Sequence, residues 1–350
     1  RSEKMDVETA ENVTVKNSSA ETSKFTTEIQ EIVKKSYSDI VLDSNVKSIN
    51  SRFLLYNQII GGIPIGRFVV VQALEGVGKS SLVVQLAADI QKFQYPIVYL
   101  DTEYAMSTQR FSQLGFNLND KNVIYLQPTS LQQVFSLIRD IIKTKIEKFG
   151  IDMPAFIIWD SIAATPAKEE VQLEEIVGVE VGIRARILSQ GLRVITGLLS
   201  KSNVTLIAIN QYRMKMSNGM PSWGGPQYTT PGGLAPKFTA YQTIELKDSS
   251  KFNDEDPEDN GKLVKFKALK NKMKAPLVEF SMYYTYEHGF DNEKSLFYHL
   301  KENKQIIASG PKYHLKTLPD VSFFKKEFSD MLKDQTFASE INKLITPEYV

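Results

Sequence analysis

A lysine and a serine at the start of a helix, with glycines just before them, form the arrangement that holds a phosphate chain. The run Ala73-Leu-Glu-Gly-Val-Gly-Lys-Ser80 follows a β-branched stretch, Arg67–Gln72, and opens a helical stretch from Lys79 to about Lys92. This strand-to-helix context is what a phosphate-binding loop requires. Gly76 and Gly78 allow the backbone amides of the loop, from Glu75 through Val77, to turn inward around the phosphates. Lys79 would reach the β- and γ-phosphates, and the Ser80 hydroxyl, with Ser81 beside it, would face Mg²⁺. The helix N-terminus adds a favourable dipole. Ala73 stands where the usual pattern has its first glycine. A purely structural turn would not need a lysine at the helix start.

Two carboxylates fit the same chemistry. Asp160 ends the apolar run Ala155–Trp159, where a carboxylate can hold the hydration shell of Mg²⁺. An aspartate followed by serine also suits a helix N-cap. Glu103 ends the run Ile97-Val-Tyr-Leu-Asp-Thr-Glu103 and could orient an attacking water as general base. Asp101 competes for that role on spacing alone.

The elements that must position these groups read as repeated strand-then-helix units. Short apolar runs at Arg67–Gln72, Ile97–Leu100, Ala155–Trp159 and Val204–Ile209 are separated by helical stretches. That pattern predicts an α/β fold with a mostly parallel twisted sheet flanked by helices. After about residue 240, Gln242–Lys247 and Leu263–Leu269 alternate like antiparallel strands, joined by a solvated acidic loop, Asp254–Asn260. Residues from about 290 to 350 carry helical, lysine-containing stretches and read as a small α+β domain. Residues 1–24 are polar and read as a mobile arm, while Ile29, Ile32 and Val33 have helical spacing. The predicted division is an N-terminal arm and helix over 1–50, a nucleotide-binding core over 51–285 and a C-terminal domain over 286–350.

Composition narrows the classes. The 350 residues are 42% hydrophobic and 24% charged, ordinary for a soluble domain. No apolar run is long enough to cross a bilayer, and no secretory signal stands at the N-terminus. The chain opens at Arg1 rather than Met, leaving room for a start outside this sequence. With no cysteine and three histidines, disulfides and cysteine-ligated metals are excluded. The net charge of +1 gives no global signature of a nucleic-acid binder, so any such charge must be local.

The series IVYLDTEYA, FIIWDSIAA, VGIRARILSQGLR, INQYRMKM, TTPGGLAPKF and LKNKMKAP resembles the RecA family, in order and at similar spacing, from about residue 45 to 290. Phage recombinases of the UvsX kind are cousins. The resemblance implies a RecA-type P-loop core and a DNA-dependent ATPase that uses ATP and Mg²⁺. It also implies self-association into a helical filament on single-stranded DNA, strand exchange with a homologous duplex in recombination and repair, and a cytoplasmic setting in a bacterial or phage-infected cell. It aligns Glu103, rather than Asp101, with the catalytic glutamate, and Asp160 with the Mg²⁺-site aspartate. Gln211 matches the glutamine that senses the γ-phosphate. Lys270 and Lys272 match the pair that reaches ATP on the adjacent subunit. Read without the family, those lysines would be a solvated hairpin tip.

The resemblance also places two DNA-binding loops. The first covers about Glu174–Ile183 and leads into a helix bearing Arg184, Arg186 and Arg193. The second spans about Arg213–Phe238, with Arg213, Met214, Lys215, Thr229, Thr230, Gly232 and Gly233. Cations, amides and hydroxyls contact phosphates without reading base edges. The bland alternative is a plain surface loop and a solvated helix face, although a long loop without secondary structure is usually functional or disordered. Met214 or Met216 could wedge between bases or pack in the core. Pro231 and Pro236 stiffen the second loop relative to the family, and Arg110 stands near the family's adenine-stacking tyrosine, leaving nucleotide preference open. The acidic C-terminal tail of many bacterial relatives has no counterpart in Ile345–Val350. If the chain is complete, a brake on duplex binding is missing. Residues 27–50 are placed to dock on a neighbour, and Phe238 matches an interface aromatic. Competing readings are a RecA-fold hexameric helicase, a non-hydrolysing recombination mediator and, more remotely, a small-molecule kinase.

Overall fold

The computed structural model describes residues 46–171, 182–214, 228–249 and 261–345, together with Lys24, residues 26–29 and Glu31. Those last positions are helical, with Ile29 exposed, and belong to a unit, Arg1–Asn45, separate from Val46–Val350. Ile32, Val33 and most of the polar arm lie outside the described residues.

β-Branched and aromatic runs bounded by glycine, proline and polar turns build one nine-stranded sheet. Its strands are β1 (Phe68–Ala73), β2 (Ile97–Asp101), β3 (Val123–Leu126), β4 (Ala155–Asp160), β5 (Val204–Gln211), β6 (Gln242–Asp248), β7 (Lys262–Asn271), β8 (Glu279–Thr285) and β9 (Gly289–Asp291). Their order across the sheet is β9-β8-β7-β6-β1-β5-β4-β2-β3. From β6 to β3 all neighbours are parallel, and β7, β8 and β9 extend the sheet antiparallel.

The parallel strands are buried on both faces, and their side chains divide by the twofold strand period. In β4, Phe156 and Ile158 enter one apolar cluster, while Ala155, Ile157 and Trp159 enter the other. In β5, Ile207 and Ile209 oppose Leu206 and Ala208 in the same way. One face is covered by α1 (Lys79–Gln91), buried along most of its length. The other is covered by α3 (Leu131–Phe149) and α4 (Ile183–Ser202); α2 (Thr108–Gln113) follows β2. Leu131, Val134, Ile138 and Ile142 form the buried stripe of α3, and Leu188, Leu192, Ile195 and Leu199 that of α4. Phe135 meets Trp159 edge-on, with centroids 5.7 Å apart.

The sheet does not end near residue 240. β6 pairs antiparallel with β7, as the alternation predicts, but it also runs parallel to β1. Its residues Gln242–Leu246 are buried, which is why the strand is internal rather than an edge. The short helix α5 (Ala235–Thr239) leads into it. Beyond β9, α6 (Asn292–Glu302) and α7 (Gln335–Ile345) enclose a three-stranded antiparallel sheet, Ile306–Ser309, Lys312–Leu315 and Leu318–Phe323. Phe297, Phe323, Phe328 and Phe337 form its aromatic centre, continuous with the core beneath α1. No helix among the described residues is long and apolar enough to cross a membrane.

Candidate functional site

Register brings the chemistry together at the carboxyl edge of the parallel strands, the usual place for ligands in open α/β sheets. Ala73 of β1 lies beside Gln211 of β5, and Asp101 of β2 beside Asp160 of β4. A cavity of about 560 Å³ opens there, lined by Glu75, Gly76, Gly78, Lys79, Ser80 and Ser81 from the loop and first turn of α1. Glu103, Arg110, Asp160 and Gln211 line the same cavity. Val77 does not: its side chain turns into the core. Gly78 adopts φ +102°, and an added Cβ would stand 3.1 Å from the Tyr284 ring and 3.3 Å from Phe290, so a side chain would strain the backbone and press on both rings.

Lys79 is buried, and its ammonium donates to the Leu74 carbonyl at 2.7 Å. Burial pulls its pKa down, opposed by the charges of Glu103, Asp160 and Glu75. Asp160 is pushed up to about 7, first by burial and then by Glu103, while Ser80 and Tyr99 pull it back. The Tyr99 hydroxyl donates to Asp160 Oδ2 at 3.1 Å, whereas Oδ1 is buried without a hydrogen-bond partner. An orphaned carboxylate oxygen beside Ser80 fits the Mg²⁺ ion that a phosphate loop takes. No cluster of three or more His, Cys, Asp or Glu suited to a metal exists among the described residues, so such an ion would need ligand phosphates as well.

The structure separates the two carboxylates that spacing left in competition. Asp101 Oδ1 accepts from the amides of Glu103 at 3.0 Å and Tyr104 at 2.8 Å, and its Oδ2 accepts from the Tyr125 hydroxyl. It is spent on turning the chain. Glu103 instead faces the cavity, where its Oε1 accepts from the Gln211 side-chain amide at 3.0 Å. Next to Gln211, the Asn210 side chain donates to the Pro231 carbonyl of the second loop at 3.3 Å.

Arg110 donates to Ser81 Oγ at 3.2 Å and to the Glu287 carbonyl at 2.9 Å, with its guanidinium 4.8 Å from the Tyr286 ring centre. Tyr284 and Tyr286 both line the cavity and were missed by motif reasoning. Their signal was the spacing by two of Tyr284 and Tyr286 in Met282-Tyr-Tyr-Thr-Tyr286, which puts two aromatics on one side of a strand end.

Other expected residues lie elsewhere. Lys270 donates to the carbonyls of Phe238 at 2.6 Å and Lys237 at 3.2 Å, and the Lys272 ammonium sits 5.7 Å from the Tyr241 ring centre. Neither lines the cavity of its own chain. Phe238 is 69% exposed. Arg186, Arg193 and Arg213 are exposed, but Arg184 is half-buried, with its guanidinium on the carbonyls of Ile162 and Ala163. Thr229 is exposed, and the Thr230 hydroxyl donates to the Gly233 carbonyl at 3.3 Å. Gly232 and Gly233 take φ +83° and +61°. A Cβ on Gly232 would stand 1.9 Å from Leu188 Cδ2, so a side chain there would force the loop's contact with Leu188 of α4 to shift. Met214 supplies backbone to a two-residue strand paired with Tyr228–Thr229. Its side chain, Lys215, Met216 and residues 174–181 of the first loop lie outside the described residues.

Comparison with known proteins agrees with this geometry. Residues 26–291 match the RecA N-terminal domain family. A protein RecA from Sulfurimonas denitrificans is 35% identical over 237 residues, 68% of this chain and 65% of its own length. One from Thermotoga petrophila is 31% identical over 296 residues, 83% of this chain and 79% of its own length. One from Helicobacter pylori is 33% identical over 234 residues, 67% of this chain and 63% of its own length. The chain thus spans just under two thirds of the Sulfurimonas protein it matches and nearly four fifths of the Thermotoga one. The chain belongs to the RecA family.

Proposed function

We propose that this protein is an ATP-dependent recombinase that assembles on single-stranded DNA and pairs it with a homologous duplex in recombination and repair. The observation that carries the reading is the contact between Gln211 and Glu103, because Gln211 stands one residue from the Asn210 side chain that holds the second loop. A single strand end therefore touches both the group placed to activate water and the loop placed to hold DNA.

Lys79 leaves the Leu74 carbonyl to neutralise the β- and γ-phosphates, and the loop amides around Gly76 and Gly78 cradle them. Ser80 and Asp160 would hold Mg²⁺, which would neutralise phosphate charge when bound. Glu103 orients and deprotonates water. Arg110 and Tyr286 offer a cation and a ring to the base. Lys270 and Lys272 act on ATP of the adjacent subunit, stabilising charge as an arginine finger does and making turnover depend on assembly. Arg186, Arg193, Arg213, Lys215, Thr229, Thr230, Gly232 and Gly233 contact the DNA backbone. The N-terminal segment 1–50 docks on the neighbouring subunit, the core 51–285 binds ATP and DNA, and the segment 286–350 forms the outer domain. The setting is the cytoplasm of a bacterial or phage-infected cell.

Electron microscopy with single-stranded DNA and a non-hydrolysable ATP analogue tests this reading, alongside ATP turnover with and without DNA. Helical filaments and DNA-stimulated turnover are expected. Closed rings with directional unwinding would replace the reading with a helicase, and DNA binding without turnover would replace it with a mediator.

A further inference from the structure

Two arginines at the borders of the proposed DNA loops converge on one turn beside the nucleotide site. Arg184 Nη2 donates to the Ile162 carbonyl at 2.8 Å and to the Ala163 carbonyl at 2.6 Å. Arg213 Nη2 stands 3.3 Å from that same Ala163 oxygen. Arg184 follows the first loop at the start of α4, and Arg213 opens the second just after β5.

That turn is the continuation of β4 beyond Asp160. Its Ser161 carbonyl accepts from the hydroxyls of Thr102 at 3.0 Å and Thr165 at 2.7 Å, and its Ile162 amide donates to the Ile209 carbonyl of β5 at 2.9 Å. Thr102 lies between Asp101 and Glu103. The turn therefore continues the strand bearing Asp160 and touches both the strand bearing Gln211 and the segment Thr102–Glu103 that leaves β2.

Placement of Arg184 is costly unless something offsets it. A cation in the first turn of a helix opposes the helix dipole. Here it is also half-buried and close to a second guanidinium, and burial with the Arg213 charge pulls its pKa down while Glu170 opposes. Two backbone carbonyls aimed at a planar donor offset that cost. A residue serving only to meet DNA phosphates would stay extended to solvent, as Arg186 and Arg193 do.

Resting on the function proposed above, we infer that Arg184 is a positioning residue rather than a DNA contact: it clamps the Ile162–Ala163 turn behind Asp160. It shares the Ala163 carbonyl with Arg213, so DNA capture by Arg213 is read at the Mg²⁺ site. A DNA phosphate that draws Arg213 outward removes a competitor for that oxygen and a like charge from beside Arg184. The clamp then tightens on the turn, and Asp160 and Glu103 are held in place for turnover.

The test compares Arg184→Gln, Arg184→Lys and Arg186→Ala in the full chain. Single-stranded DNA affinity is measured against salt with a non-hydrolysable ATP analogue, ATP turnover at saturating DNA, and Mg²⁺-dependent nucleotide affinity without DNA. Arg186→Ala should lower the salt slope by about 0.7, the signature of one lost phosphate contact on a single strand. Arg184→Gln should keep the slope while DNA-stimulated turnover falls roughly three- to thirtyfold and half-saturation shifts to higher Mg²⁺. Arg184→Lys should recover part of the turnover, and it serves alone if the glutamine variant does not fold. A reduced slope with normal turnover at saturating DNA would make Arg184 a phosphate contact and overturn the inference. Unchanged slope, turnover and Mg²⁺ dependence would overturn it as well. If the unaltered protein bound no DNA, the proposed function would fail instead. The clamp would then stand or fall on the Mg²⁺ dependence measured without DNA.

Discussion

The Gln211 side-chain amide donates to Glu103 Oε1 across 3.0 Å, joining the end of β5 to the segment that leaves β2. The two residues are far apart in sequence, and the intervening β4 carries Asp160 between their strands. The contact holds the Glu103 carboxylate toward the cavity while Asp101, two residues earlier, is occupied by the Glu103 and Tyr104 amides. Adjacent residues of β5 thereby join two places: Gln211 reaches Glu103, and Asn210 reaches the Pro231 carbonyl.

Glu103→Gln isolates the carboxylate as base while leaving the Gln211 contact in place. A glutamine keeps the size of the side chain and can still accept from Gln211, so the cavity should survive while the base is lost. Turnover should fall by about two to four orders of magnitude, the usual worth of a positioned acid or base. ATP and DNA affinities should change little. Normal steady-state hydrolysis by this variant would remove Glu103 from the mechanism.

Asp160 gives a prediction with a definite sign. Its folded pKa of about 7 lies above its ordinary value of 3.8, so between those values the folded chain binds a proton that the unfolded chain does not. The associated stability is fully present below about pH 4 and is lost as pH rises through about 7. Asp160→Asn removes that penalty. The nucleotide-free variant should therefore melt higher than the parent at pH 8, by at most about 4 kcal/mol, with little difference at pH 4. Binding of Mg²⁺ and nucleotide favours the ionised carboxylate. Calorimetry near pH 6.5 in buffers of different ionisation enthalpy should detect proton release in the parent that the variant lacks. A parent whose stability does not depend on pH in this range would contradict the burial argument.

Much of the site was legible because its chemistry is local in sequence. The loop from Ala73 to Ser80, Asp160 at the end of β4 and Glu103 just past β2 each follow an apolar run whose end the sequence marks, whereas Gln211 at the end of β5 is singled out only through the family resemblance. What spacing could not decide was Asp101 against Glu103, because the choice depends on which carboxylate the chain consumes in its own turn. Arg184 was legible as a cation but not as a buried one, since its partners are carbonyls contributed by a distant turn. Tyr284 and Tyr286 were hidden because an aromatic on a strand reads first as core. The edge strand β3 and the parallel side of β6 depend on tertiary pairing, which a two-residue period cannot reveal.

Gly232→Ala probes the seat of the second loop. At φ +83° an alanine is strained, by about 1–2 kcal/mol, and its Cβ would fall 1.9 Å from Leu188 Cδ2. The loop should lift from α4, weakening single-stranded DNA binding while its salt slope stays unchanged because no cation is removed. Adding Leu188→Ala relieves the overlap but leaves the backbone strain. The double variant should bind DNA better than Gly232→Ala alone while melting lower, since Leu188 is fully buried. Equal DNA affinity for Gly232→Ala and the parent would show that the loop does not need this seat.

The lysine pair can be tested without disturbing any single chain's own cavity. Lys270 holds the Phe238 and Lys237 carbonyls at the end of α5, outside the cavity that its own phosphate loop lines. If it serves the adjacent subunit, two inactive variants should complement each other. Lys270→Ala with Lys272→Ala leaves a chain with an intact cavity but no lysines to offer. Glu103→Gln leaves a chain that offers lysines but cannot turn over its own ATP. In a head-to-tail assembly mixed at equal amounts, about a quarter of the interfaces would join intact lysines to an intact cavity. Turnover should reappear at a comparable fraction of the parent's and vanish when either variant is alone. Lys270 should also leave the carbonyls of α5 on assembly, so exposed Phe238 should become protected as filaments form. A mixture no more active than its components would place the lysines in cis or outside the chemistry altogether.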